Sequence, residues 1–111
     1  MEYLNKVLLR GVVGNAKIQS VGNTAVCRFS VATETSYQSR SGDLVVDVTW
    51  TSCSVWQRTG LPSLEEIQKG ALIELEGRLR CVSYTNPEGE DRKFYEVLVN
   101  SFKILPREEN E

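Results

Sequence analysis

The chain contains no histidine, only three cysteines and three prolines among 111 residues, and no long hydrophobic run. Each absence removes a class of chemistry. Without histidine there is no imidazole to serve as a general base, and the commonest nitrogen ligand for a metal is gone. Cys27, Cys53 and Cys81 stand far apart, at neither metal-finger nor redox-motif spacing. They read as small buried apolar residues of a reducing compartment. No Walker-type glycine loop occurs, and no nucleophile has an evident base. Asp43 with Asp47, and Glu74 with Glu76, read as ordinary exposed carboxylates. The expectation is a protein that is not an enzyme, with no catalytic residue, no metal and no cofactor.

Apolar runs fall far short of the roughly 20 residues that span a bilayer, so no membrane partner is expected. The opening "MEYLNKVLLRG" has an acid at position 2 and lacks the apolar core of a signal peptide, which implies a cytoplasmic protein. The formal net charge of −2 argues at face value against a polyanion. Three of the acids, however, sit in the final "EENE", and the remainder comes close to neutral. Local grooves can therefore still be basic.

What is present is strand-forming. "LNKVLLRGVVG" reads as a first long strand with a bend or bulge at Gly11. "KIQSV" is a short strand, Gly22-Asn23 a turn, and "TAVCRFSVATE" a second long strand with Ala25, Cys27, Phe29 and Val31 toward the core. Thr35 to Asp43 is a polar loop, and Leu44 to Trp56 a third strand rich in β-branched and aromatic residues. In "LPSLEEIQKGA", Ser63 and Glu66 form a capping box and Gly70 a stop, predicting a helix of roughly two turns. Leu72 to Tyr84 alternates, with Ile73, Leu75, Leu79 and Cys81 inward and Gly77 at a bulge or barrel corner. Arg92 to Leu105 closes the set.

Long strands with mid-strand glycines favour a closed barrel over a flat sheet. The expected fold is all-β: a five-stranded Greek-key OB-fold barrel with one short α-helix between strands 3 and 4. Residues 1–106 form the domain, and 107–111 an acidic, disordered end. Such barrels bind oligonucleotides or oligosaccharides across strands 2 and 3 and the adjoining loops.

The aromatic residues sharpen this. Trp50 and Trp56 are an even number apart on a strand and so share a face, with only Ser52 and Ser54 between them on it. That face is either a core wall or an open platform for a flat partner. Tyr37 and Tyr84, flanked by turn residues, are expected to be exposed. A flat ring gains about 1–3 kcal/mol for each base that stacks on it, whatever the base. Cations including Lys6, Arg10, Arg28, Arg40, Arg58, Arg80 and Arg92 are interleaved with these rings, as a groove tracking a phosphate backbone requires.

Taken together, "NKVLLRG", "FSVAT", "VTWTSCSVW" and "KGALIELEGRLRCVSYTNPEGEDR" resemble the bacterial single-stranded DNA-binding protein family from Leu4 to about Leu105. The resemblance implies an OB-fold that binds single-stranded DNA without sequence preference, assembles as a homotetramer (or a dimer), and serves DNA replication, recombination or repair. Stacking positions would fall on Tyr37, Trp50, Trp56 and Tyr84. Phosphate contacts would fall on Lys6, Arg10, Arg40, Arg58, Lys69, Arg80 and Arg92.

Three departures stand out. Thr51 replaces a histidine common in a region of subunit contact, and Val82 with Ser83 replaces residues that are often basic. The family's long tail, with its acidic tip that recruits replication and repair proteins, has no counterpart after "LPREENE". Two other readings remain open: an accessory OB protein similar to primosomal replication protein N, and an OB-fold protein–protein adaptor. The adaptor reading expects both tryptophans to be buried.

Overall fold

The computed structural model describes residues 1–106; the acidic end expected at 107–111 lies outside the described residues. Five strands follow in order: β1 (Val7–Val21), β2 (Thr24–Gln38), β3 (Leu44–Trp56), β4 (Leu72–Thr85) and β5 (Asp91–Leu105). They form a closed barrel in the order β1-β2-β3-β5-β4, the OB-type barrel expected from the sequence. Pairing is antiparallel except between β3 and β5, which meet in parallel at Cys53↔Val97 and Ser54↔Leu98.

The two segments expected before Gly22 are one strand that changes partners. Val7 to Val12 pairs with β4, and Val12 to Val21 with β2. The register shift falls between Val13 and Ala16, at Gly14-Asn15 rather than at Gly11. Gly11 is needed for a different reason: a side chain there would run into the Ala32 carbonyl, so its absence lets β1 and β2 close together. Gly77 does the same against the Leu98 backbone, where β4 and β5 slip register.

The core is formed by Val13, Cys27, Phe29, Val31, Cys53, Val55, Ile73, Leu75, Val97, Val99 and Phe102. Leu64 and Ile67 join it from the segment between β3 and β4. That segment is a single 3₁₀ turn, Leu64–Glu66, instead of two α-helical turns. Its ends are fixed from outside. The Leu64 N–H donates to Gln57 Oε1 at 3.1 Å, and the Gly70 N–H donates to the Val13 carbonyl at 2.8 Å. The 3₁₀ period of three places Leu64 and Ile67 on one side, both inward, and leaves too few residues for a longer helix. The capping signal survives in part, with Ser63 Oγ accepting from the Glu65 N–H.

Two hairpins run on past the barrel as ribbons. The loop expected from Thr35 is mostly strand: β2 and β3 stay paired out to Gln38↔Leu44, and only Ser39 to Asp43 turns. β4 and β5 stay paired to Thr85↔Asp91. Leu79 and Cys81, expected inward, are exposed because they lie where this second ribbon leaves the barrel. At its base the Asn5 amide mimics one more rung of the ladder. Its Nδ2 donates to the Leu79 carbonyl at 2.7 Å, and the Leu79 N–H donates to its Oδ1 at 2.9 Å.

Candidate functional site

Strand parity decides where the rings point. Cys53 and Val55 of β3 fill the barrel, so Trp50, Ser52, Ser54 and Trp56 face outward. Trp50 is 59% exposed and Trp56 37%, which overturns the reading of these residues as core. Opposite them on β2 lie Ala32, Ser30, Arg28 and Val26, with small residues where the rings need room. The Trp50 indole reaches across β2 to β1. A side chain at Gly14 would collide with its Cζ3 and with Ser30 Oγ, so the ring rests on the Gly14 backbone. Ser30 Oγ also accepts the Asn15 N–H at 3.2 Å, which holds the β1 bulge under that ring.

The same outward face continues through β5 to β4. Ser54 is level with Leu98, and the outward residues Leu98, Glu96, Phe94 and Arg92 of β5 lie opposite Arg78, Arg80, Val82 and Tyr84 of β4. Tyr84 is half exposed and meets Phe94 edge-to-face, with ring centroids 5.9 Å apart at 65°. Tyr37 is equally exposed but paired with Val45, on the opposite face of the β2–β3 ribbon from Trp50. Three of the four expected stacking rings thus share one surface, and Tyr37 stands apart near the ribbon tip.

The cations divide into two groups. Lys6, Arg40 and Lys69 are exposed, and among the described residues none of them is in an ion pair. Lys69 borders a hollow of about 370 Å³ shared with Gly14, Asn15, Ala16, Ile67 and Gln68, immediately beside the seat of Trp50. The other expected phosphate contacts are engaged within the chain. Arg10 pairs with Glu74 at 2.6 Å, and Lys103 shares that carboxylate at 3.4 Å. Arg58 donates to the Asn100 carbonyl at the β5 bulge. Arg92 pairs with Glu90 at 2.7 Å, and Arg80 with Glu96 at 2.7 Å.

Two carboxyls respond to these neighbours. Arg10, and then Lys103, hold Glu74 below the usual carboxylate range. Glu90 is lowered first by the Asn86 amide and then by Arg92. A larger hollow of about 650 Å³ lies beside Leu8, Arg10, Glu74 and Lys103, away from the tryptophans.

Two residues of this face escaped the sequence reading: Phe94, which supports Tyr84, and Gly14, which seats Trp50. Arg28, expected among the cations interleaved with the rings, lies level with Ser54 and is tied to Gln19 at 2.9 Å. Nothing in the sequence pairs Gly14 with a ring 36 positions away. Among the described residues no group of three or more acidic or cysteine side chains could hold a metal, and no helix is long and apolar enough to cross a membrane.

Comparison with known proteins bears on this geometry. Residues 4–105 match the model of the single-strand binding protein family. A single-stranded DNA-binding protein of Neisseria meningitidis serogroup A is 34% identical over 104 residues, covering 92% of this chain and 60% of that relative. Single-stranded DNA-binding protein B of Bacillus subtilis is 31% identical, covering 76% of this chain and 75% of its own length. In fold, the chain superposes on the Plasmodium falciparum SSB, solved in complex with ssDNA. The TM-score is 0.80 at 20% identity, covering 96% of this chain and 98% of that one.

Proposed function

Because the chain belongs to the single-strand binding protein family, we propose that it binds and protects single-stranded DNA without sequence preference, in replication, recombination or repair. The observation that carries this reading is the outward placement of Trp50 and Trp56 on one strand face, separated only by serines. A buried pair would serve packing; an exposed pair on a soluble barrel exposes costly apolar area unless a flat partner covers it.

In the proposed mechanism, bases stack on Trp50, Trp56 and Tyr84, with Tyr37 adding a contact from the far side of the β2–β3 ribbon. Of the expected phosphate contacts, Lys6, Arg40 and Lys69 take phosphates, because among the described residues they are the ones whose side chains are engaged in no ion pair or hydrogen bond within the chain. The protein works as a cytoplasmic homotetramer. The hollow beside Leu8 supports this, since exposed Leu8 sits there among Arg10, Glu74 and Lys103, charges of both signs that a second copy could match.

Tryptophan fluorescence during titration with a thymine homopolymer, at low and moderate salt, tests the binding. Stoichiometric quenching that weakens as salt rises is the expected result. Emission that does not change would remove the stacking mechanism. Native mass distinguishes the tetramer from the dimer that a primosomal accessory protein would form.

A further inference from the structure

Between the tryptophan pair and the Tyr84–Phe94 pair, the outward face holds one acid. Glu96 is only 5% exposed, and its Oε2 accepts two hydrogen bonds and closes an ion pair. Ser54 Oγ donates at 3.1 Å and Arg80 Nε at 2.8 Å, and Arg80 Nη2 completes the ion pair at 2.7 Å. Ser54 lies two residues from Trp56 on the same face, and Arg80 is four from Tyr84 on the same face of β4. A strand running from Trp56 to Tyr84 would therefore cross this group.

We propose that Glu96 is a built-in counterion that removes Arg80 from phosphate binding, so that DNA between Trp56 and Tyr84 is held by stacking and not by charge. The inference rests on the DNA-binding reading above. Its argument is electrostatic. A cation contributes to salt-dependent binding when it exchanges small ions for a phosphate. Arg80 already faces a fixed carboxylate, with two of its nitrogens spent on one oxygen, so the locus carries no net charge to exchange. The carboxylate, in turn, is shielded from solvent by the groups that bind it and cannot swing away.

Two variants test this against the wild type, using salt-dependent titration with a thymine homopolymer. Glu96→Gln keeps the shape and an acceptor for both Arg80 and Ser54, but frees one positive charge. The log–log salt slope should steepen by about 0.7, one single-strand phosphate contact, which means about two- to threefold more affinity lost between 50 and 200 mM salt. The double variant Arg80→Met/Glu96→Leu removes the pair, a replacement that folded proteins commonly tolerate, and should keep the wild-type slope. An unchanged slope in Glu96→Gln, or a double variant flattened by about 0.7, overturns the proposal, because Arg80 would then already meet a phosphate. Wild type that binds no homopolymer at all defeats the DNA-binding reading instead, a result distinct from either.

Discussion

The Trp50 indole lies against the backbone of Gly14, across an intervening strand, in space that any side chain at position 14 would occupy. The glycine is needed for room and not for backbone freedom, since its φ lies outside the left-handed region. Trp50 is therefore exposed on one side and seated on the other. A ring held flat in this way loses less freedom when a base stacks on it than a ring that must first be ordered.

Gly14→Ala should displace the ring without breaking the fold, because the groups in the way, the edge of the exposed Trp50 ring and the Ser30 hydroxyl, are side-chain atoms and not backbone. The expected result is a red shift of tryptophan emission and weaker binding to a thymine homopolymer, by no more than one stack's worth, about 1–3 kcal/mol. A melting temperature close to wild type would accompany it. Collapse of the fold would mean that the bulge, and not the ring, needs the glycine.

Trp50→Ala removes the platform itself. Binding should weaken by about 1–3 kcal/mol, measured by anisotropy of a labelled oligonucleotide, while thermal unfolding shifts by only a few degrees. The prediction follows from 59% exposure: most of the ring's area is not part of the core. Full binding by the variant would place the strand elsewhere.

The three thiols should separate by reactivity. Burial, and then the nearby Glu96 charge, push the Cys53 thiol up to about 12, and burial raises Cys27 as well. At pH 8 the thiolate fraction of Cys53 is then on the order of 10⁻⁴, far too small for attack on a reagent that burial already excludes. Cys81 is exposed on the β4–β5 ribbon. Ellman's reagent should titrate one thiol per native chain and three in denaturant. Rapid labelling of two or more in the native protein would contradict this burial.

Glu74 supplies a pH test. Its folded-state value lies below the ordinary carboxylate value, so ionised Glu74 stabilises the fold above about pH 4.3, its ordinary value in an unfolded chain. That contribution is lost as pH falls through the lower folded value. Glu74→Gln should therefore melt at a lower temperature than wild type at pH 7, with the gap closing as the pH drops below about 4. A gap that persists in acid would mean that the Arg10 and Lys103 contacts do not depend on charge.

The sequence made the barrel legible because alternation and mid-strand glycines are local signals, read a few residues at a time. The outward turn of Trp50 was legible in part, from the serines that share its face. Other features depended on partners remote in the chain. The 3₁₀ turn is short because Gln57 and Val13 hold its ends, and Leu79 is exposed because the β3 contact with β5 ends at its level, at Cys53↔Val97, and does not continue along the ribbon. The ion pair of Arg80 was hidden for the same reason: the acid that engages it lies on the next strand, and no spacing rule links positions 80 and 96.

The parallel contact between β3 and β5 spans only two residue pairs, while the hairpins on either side of it are zipped over most of their lengths. It is the seam of the barrel. Each hairpin can form from its own turn, and β1 then laces the two together, so the seam closes last and at the greatest cost in chain entropy. It should also be the first place to part. Backbone amides at Ser54 and Leu98 would then exchange with solvent deuterium sooner than those deep in the hairpins, and any opening of the barrel would begin beside Trp56.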